Sequence, residues 1–323
     1  MREIARIVHA LQVTAGKPAA LATLVTIEGS SYRRPGARLL LLPDGGRIGS
    51  ISGGCLEEDV LARCQRVLAS GEPELAVYDT TAENDLVWGV GLGCQGVVRI
   101  FIERVPPVRP DWVATVAENL CFRRNTCVET GFAGTSPKGT RLAGESAEVA
   151  GVFRTTVVAS PALVVCGAGD DAQPLVRLAK ETGWHVTVAD PRPAYATAER
   201  FPAADRVLVA TGPELVERLT LDERTFVVVM THRYVDDREF LRARLPRDFP
   251  YLGQLGPRVR TERLLAELAL PEALRAKLHA PVGLDLGGNE PETVALAILA
   301  EMQARLNERT PGFLRDRPGP IHA

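Results

Sequence analysis

Ala162-Leu163-Val164-Val165-Cys166-Gly167-Ala168-Gly169-Asp170-Asp171-Ala172 is an apolar run that ends in a G-x-G-x-x-A turn. Such a run suits a strand buried on both faces, and the glycines allow a tight turn from that strand into a helix. The free N–H groups and positive dipole end of that helix then face whatever lies above the sheet edge. Downstream the grammar repeats, with strand-like runs at His185–Ala189, Arg206–Val209, Phe226–Met230 and Tyr251–Gly253 alternating with amphipathic stretches. This alternation predicts helices on both faces of a parallel sheet, so residues 161–309 are expected to form a Rossmann-type, doubly wound α/β domain. A last helix is expected over about Glu292 to Asn307, with Val294, Ala297, Ile298 and Met302 inward. The tail 310–323, rich in Pro, Arg and Gly, is expected to be loose.

The first part of the chain reads differently. Ile4, Ile7, Val8 and Leu11 stand at helical spacing, which predicts an amphipathic helix over residues 2–12. A strand over Ala19–Ile27 is followed by a polar loop from Glu28 to Gly36. Two further strands, Arg38–Leu42 and Arg47–Ser50, are joined by the hairpin signal Pro43-Asp44-Gly45-Gly46. After Ile51-Ser52-Gly53-Gly54-Cys55 comes a helix with Leu56, Val60, Leu61, Cys64, Val67 and Leu68 on one face, then strands near Leu75–Asp79 and Val97–Glu103. Residues 1–105 are thus expected to form a smaller α+β domain. Pro106-Pro107-Val108-Arg109-Pro110 predicts a boundary, since prolines this dense continue neither a helix nor a central strand. Residues 106–160 show no readable periodicity and are expected to be a linker or irregular region.

Length and composition set the outer limits. A chain of 323 residues exceeds one ordinary core and suits two, and 46% hydrophobic with 24% charged residues is a globular balance. The formal charge of -2 supplies no broad basic field, which argues against nucleic acid as a partner. No stretch reaches the ~20 apolar residues of a membrane span, and the opening Met1-Arg2-Glu3-Ile4 lacks a signal-peptide pattern. A cytoplasmic location is therefore expected. The six cysteines form no Cys-x-x-Cys pair and no zinc-like spacing, so they are read as reduced thiols.

Several positions could carry chemistry. The Gly167–Ala172 turn, with Gly167 and Gly169, and Asp190 at the end of the next strand suit a nucleotide, Asp190 accepting from ribose hydroxyls. The alternative is an economical strand-to-helix turn. Asp170 and Asp171 fall in the first turn of the helix, where they suit its dipole but repel a diphosphate close by. His232 follows a strand at the ligand-binding edge and, together with Asp236, could orient a ligand or move a proton; the alternative is an exposed loop histidine. Cys55 follows two glycines at a helix start, where dipole and free amides favour the thiolate that binds metals or attacks electrophiles. Ser52, Gly53 and Gly54 let a backbone approach a ligand closely. The alternative is a half-buried thiol in a turn. Cys94, in the glycine-rich loop Gly89–Gly96, could face the same place, whereas Cys64 and Cys166 read as core residues. Arg33-Arg34 could hold an anion or be solvated surface.

Several segments together resemble the XdhC/CoxI family, maturation factors of molybdenum hydroxylases such as xanthine and carbon monoxide dehydrogenases. They are Gly29-Ser30-Ser31-Tyr32-Arg33-Arg34-Pro35-Gly36-Ala37, Gly49-Ser50-Ile51-Ser52-Gly53-Gly54-Cys55-Leu56-Glu57 and Gly91-Leu92-Gly93-Cys94-Gln95-Gly96. In family order follow Gly167-Ala168-Gly169, Asp190-Pro191-Arg192-Pro193, Arg200-Phe201-Pro202, Thr231-His232, Tyr251-Leu252-Gly253 and His279-Ala280-Pro281-Val282-Gly283-Leu284-Asp285. The resemblance implies a two-domain factor, typically a homodimer, that binds the molybdenum cofactor (molybdopterin) and hands it to a molybdenum hydroxylase apo-enzyme. It also implies fitting of the terminal sulfido ligand in company with a cysteine desulfurase. Under it, Cys55 contacts molybdenum, while the Gly167–Ala172 turn holds the phosphate, with Asp190, Arg192 and His232 beside it. Asp170 stands where many relatives have a histidine, and Gln95 and Pro257 also depart from the family's pattern.

The competing reading is an NAD(P)-dependent oxidoreductase, which the Rossmann pattern and Asp190 permit. Asp170 and Asp171 oppose its diphosphate, and no acid/base pair stands out beyond His232.

Overall fold

Residues Ala19 to Val25 are all buried because strand β1 (Ala19–Gly29) lies at the centre of a sheet covered on both faces. The computed structural model describes residues 2–29, 31–79, 96–144, 149–219, 221–244, 250–269 and 272–318. They divide into two units, residues 1–159 and 160–323.

In the first unit, helix α1 (Arg2–Val13) precedes β1, β2 (Arg38–Leu41) and β3 (Arg47–Gly49). Helix α2 (Glu57–Ser70), β4 (Glu74–Asp79) and β5 (Gly96–Val105) follow. The strands form an antiparallel sheet in the order β3-β2-β1-β5-β4. Alternate residues of β1 serve opposite layers. Ala20, Ala22 and Leu24 join Val60, Cys64 and Val67 of α2, while Ala19 and Leu21 join Ile7 and Leu11 of α1 and Val113 and Val116 of α3 (Asp111–Cys121). Each fully buried aliphatic side chain contributes about 1.5–3 kcal/mol, so the alternation along this strand holds both helical layers.

The expectation of an irregular linker over residues 106–160 is corrected. After α3 come β6 (Thr126–Gly131), β7 (Gly139–Leu142) and β8 (Val152–Val157), an antiparallel sheet in the order β7-β6-β8. Its middle strand buries Glu129, which pairs with Arg141 at 2.7 Å and Arg154 at 2.8 Å on the flanking strands. These cross-strand ion pairs stand where apolar alternation would otherwise have signalled strands. The prolines mark a bend within the unit, because Arg109 bonds the carbonyls of Leu11, Thr14 and Pro106 and pins the segment to the end of α1.

The second unit runs β9 (Ala162–Cys166), α4 (Ala172–Glu181), β10 (His185–Asp190), β11 (Arg206–Val209), α5 (Gly212–Arg218), β12 (Thr225–Val229) and α6 (Tyr234–Arg244). It continues through β13 (Tyr251–Gln254), α7 (Arg258–Leu268), α8 (Glu272–Arg275), β14 (Leu278–His279) and α9 (Pro291–Leu306). Its six strands are parallel, in the order β11-β10-β9-β12-β13-β14. Leu175 and Ala179 of α4 pack with Ile298 and Met302 of α9 on one face, and Leu215, Phe240 and Leu264 from α5, α6 and α7 on the other. The expected Rossmann-type, doubly wound sheet is therefore present. In α9 the buried stripe is Ala295, Ile298, Leu299 and Met302, turned slightly from the expected one. In the tail, Leu314–Asp316 form one exposed 3-10 turn. Among the described residues no helix is long and apolar enough to cross a membrane.

Candidate functional site

Strands β9 and β12 lie side by side with Cys166 opposite Val229. The sheet grows leftward from β9 and rightward from β12, so the loops after them flank the crevice where open α/β sheets bind ligands. Gly167 has φ +128°, and a Cβ there would lie 2.4 Å from the Met230 carbonyl oxygen. This glycine serves the close approach of the two loops. Gly169 differs, since a Cβ would meet only the Asp171 carboxylate at 2.6 Å and the His232 ring at 3.7 Å. Gly169→Ala is accordingly expected to displace a side chain and change stability by about 1 kcal/mol or less in thermal unfolding.

His232 has φ +59° and its Nε2 lies 2.7 Å from Asp171 Oδ2. Its partner is thus Asp171, while Asp236 pairs with Arg233 at 3.0 Å. The loop is fastened by Asp237, fully buried and missed in the sequence reading. It accepts from the Thr231 amide (3.1 Å) and hydroxyl (2.5 Å) through one oxygen, and from Gln254 and Arg260 through the other. An acid eight residues beyond the end of an apolar strand, in the first turn of the next helix, was the available signal.

Asp190 is also fully buried, and its carboxylate is committed to the protein. Oδ2 accepts from the Ala168 amide (2.8 Å) and Arg192 Nη2 (2.7 Å), and Oδ1 from the Arg192 amide (2.9 Å) and Nε (2.8 Å). Burial disfavours its charge, but these bonds outweigh that and hold the carboxyl below its ordinary pKa; the same bonds raise that of Arg192. The ribose-accepting role expected of Asp190 has no lone pairs left to serve it. Next to this pair, Arg200 bonds Asp170 at 2.7 Å, and the guanidinium groups of Arg192 and Arg200 lie 3.8 Å and 5.2 Å from the centre of the Tyr195 ring.

In the first unit, Ser52, Gly53, Gly54 and Cys55 form one loop ahead of α2. Cys55 is exposed, with Sγ 3.6 Å from the Ser52 hydroxyl. That hydroxyl also accepts from the amides of Gly54 (3.2 Å) and Leu56 (3.1 Å) and donates to Glu57. Glu57 is buried and takes the Ile51 and Ser52 amides and the Ser50 hydroxyl as well, so a carboxylate, not the thiol, occupies the richest set of donors at this helix start. The ring of Tyr32 lies 3.6 Å from where a Gly53 Cβ would stand, and Gly54 at φ +122° needs glycine's freedom. Arg33 of the basic loop pairs with Glu3 at 2.6 Å. Cys94 lies outside the described residues. Among the described residues there is no group of three or more His, Cys, Asp or Glu side chains able to hold a metal ion.

Burial works against the charge on Glu57, yet the bonds from Ser52 and Ser50 hold its pKa below the ordinary value. A depressed folded-state pKa adds stability above the unfolded value of ~4.3, and that increment is lost as the pH falls through the folded value. Glu57→Gln is expected to cost about 1–2 kcal/mol at pH 7. In urea titrations the difference from the parent protein should shrink in strong acid, once Glu57 is protonated in the folded and the unfolded state alike.

The two constellations are matched by two family models, one described as the XdhC and CoxI family over residues 12–79 and one as the XdhC Rossmann domain over residues 163–302. The chain is 33% identical to a probable xanthine dehydrogenase subunit of Bacillus subtilis (strain 168), over 88% of this chain and 92% of that protein. It is 27% identical to the molybdenum cofactor insertion chaperone PaoD of Escherichia coli (strain K12), over 89% of this chain and 83% of that one. A crystal structure described as a xanthine dehydrogenase from Bacillus halodurans superposes with a TM-score of 0.81 at 29% identity, covering 98% of each chain. The sequence likeness spans the thiol loop and the Rossmann sheet alike, and on it the chain belongs to the XdhC/CoxI family.

Proposed function

We propose that this chain is a maturation factor that binds the molybdenum cofactor and inserts it into the apo-enzyme of a molybdenum hydroxylase. The observation that carries this reading is the relatedness along nearly the whole chain to a molybdenum cofactor insertion chaperone and to a probable xanthine dehydrogenase subunit. The chemistry of the two constellations agrees with such a cargo. Cys55 offers an exposed sulfur on a glycine-lined loop, which suits a thiophilic metal, and the segment after β10 offers the cationic Arg192 and Arg200 to the phosphate. The finer parts of the reading are that the factor works in the cytoplasm as a homodimer and receives a cysteine desulfurase while the terminal sulfido ligand is fitted. A hydride-transferring NAD(P) enzyme is disfavoured by the engaged Asp190 and by the Asp171 carboxylate over Gly169.

Protein purified from cells that make the cofactor tests the central claim. A fluorescent pterin released on oxidation, with molybdenum by elemental analysis, is the expected result; clean protein with neither would overturn it.

A further inference from the structure

In a nucleotide-binding Rossmann unit the diphosphate sits at the glycine turn and an acid at the end of the second strand takes the ribose diol. Here both places are occupied. The Asp171 carboxylate, held by His232, lies over Gly169, and Asp190 is saturated by Ala168 and Arg192. Close to that second-strand end, however, two cations are gathered on one aromatic ring. Arg192 is fixed through Nε and Nη2, which leaves its Nη1 without a hydrogen-bond partner among the described residues. Arg200 is balanced by Asp170, whose side chain is 87% exposed, and exposed ion pairs are weak. Tyr195, 40% exposed, holds both guanidinium groups at the surface. A nearby hollow of about 250 Å³, lined by Pro191, Pro213 and Phe240, is also lined by Asp236 and Glu239 and would repel a phosphate.

We infer that Arg192, Tyr195 and Arg200 form a recognition platform for a terminal phosphate monoester, which displaces Asp170 from Arg200 and bonds the free edge of Arg192. The inference rests on the reading of this chain as a cofactor carrier and sharpens it: the Rossmann unit takes the pterin in its monophosphate form in preference to a nucleotide-extended diphosphate. A dianionic monoester offers three oxygens and more charge than the single carboxylate it replaces, which is the chemistry guanidinium groups match best.

The test uses the full-length protein, free of cofactor, and three probes: 6-hydroxymethylpterin phosphate, the same pterin without phosphate, and NAD+ as competitor. Pterin fluorescence should show the phosphorylated probe binding at least ~10-fold more tightly than the unphosphorylated one, with NAD+ a poor competitor. Asp170→Asn, which removes the competing carboxylate, should tighten binding several-fold, whereas Arg200→Gln should weaken it ~10-fold with an unchanged circular dichroism spectrum. A role of the Asp170–Arg200 pair in the fold alone predicts no gain from Asp170→Asn. Equal binding of the two pterins, insensitivity to Arg200→Gln, or preference for NAD+ each overturns the platform and leaves the carrier reading in place. A protein that binds neither pterin, and that carries no cofactor when purified from producing cells, overturns both.

Discussion

Cys55→Ser is expected to lower cofactor retention and activation of a molybdenum hydroxylase at least ~10-fold, with the melting temperature unchanged. The magnitude follows from the chemistry of the site: even partners one step removed from a metal change its affinity by about 10–100-fold, and a direct sulfur contact should exceed the low end. The fold should not notice the change. Cys55 is exposed, its sulfur lies 3.6 Å from the Ser52 hydroxyl, and Glu57, not the thiol, organises the loop. Cys121 and Cys127 are exposed thiols on other elements and serve as controls. Their serine variants should activate the client enzyme normally. Equal loss in all three variants would mean general thiol damage, and no loss at Cys55 would remove the thiolate from the mechanism.

Much of the Rossmann unit was legible because parallel strands covered on both faces read as plain apolar runs. Ala162–Cys166 and Phe226–Val229 are buried throughout, and the expected boundaries fall within a residue or so of the observed ones. The thiol loop was legible for a different reason, since glycines before a helix start are a local signal. What stayed hidden depended on partners far apart in sequence. His232 meets Asp171 across 61 residues, and nothing in the neighbourhood of His232 distinguishes that acid from Asp236. The three-stranded sheet of residues 126–157 was hidden because Glu129 is buried by two arginines, so its middle strand lacks the alternation that marks a half-buried strand. Gly167 and Gly169 looked equivalent in the motif; only the Met230 carbonyl against Gly167 separates a glycine the fold requires from one a side chain merely covers.

The same distinction between fold and ligand makes Asp237→Ala the most disruptive single change expected in the second unit, about 3–5 kcal/mol in urea unfolding. The carboxylate is fully buried and is the acceptor for the Thr231 amide and hydroxyl, the Gln254 amide group and Arg260. Removing it leaves the buried Thr231 amide without its acceptor and Arg260 without its counter-charge, which is costlier than losing the bonds themselves. His232 would feel the loss directly, because its left-handed backbone is held between Thr231, which Asp237 anchors, and Arg233. Cofactor retention should therefore fall together with stability, unlike Cys55→Ser, where retention falls alone. Trp184, buried edge-on against Phe226 of β12, gives the fluorescence signal for the transition. The double variant Asp237→Ala with Arg260→Ala should lose less than the sum of the two single changes, since the stranded cation is gone. Strict additivity would show that Asp237 acts on the loop amide alone, and a loss below about 1 kcal/mol for Asp237→Ala would show that the loop is fastened by other contacts.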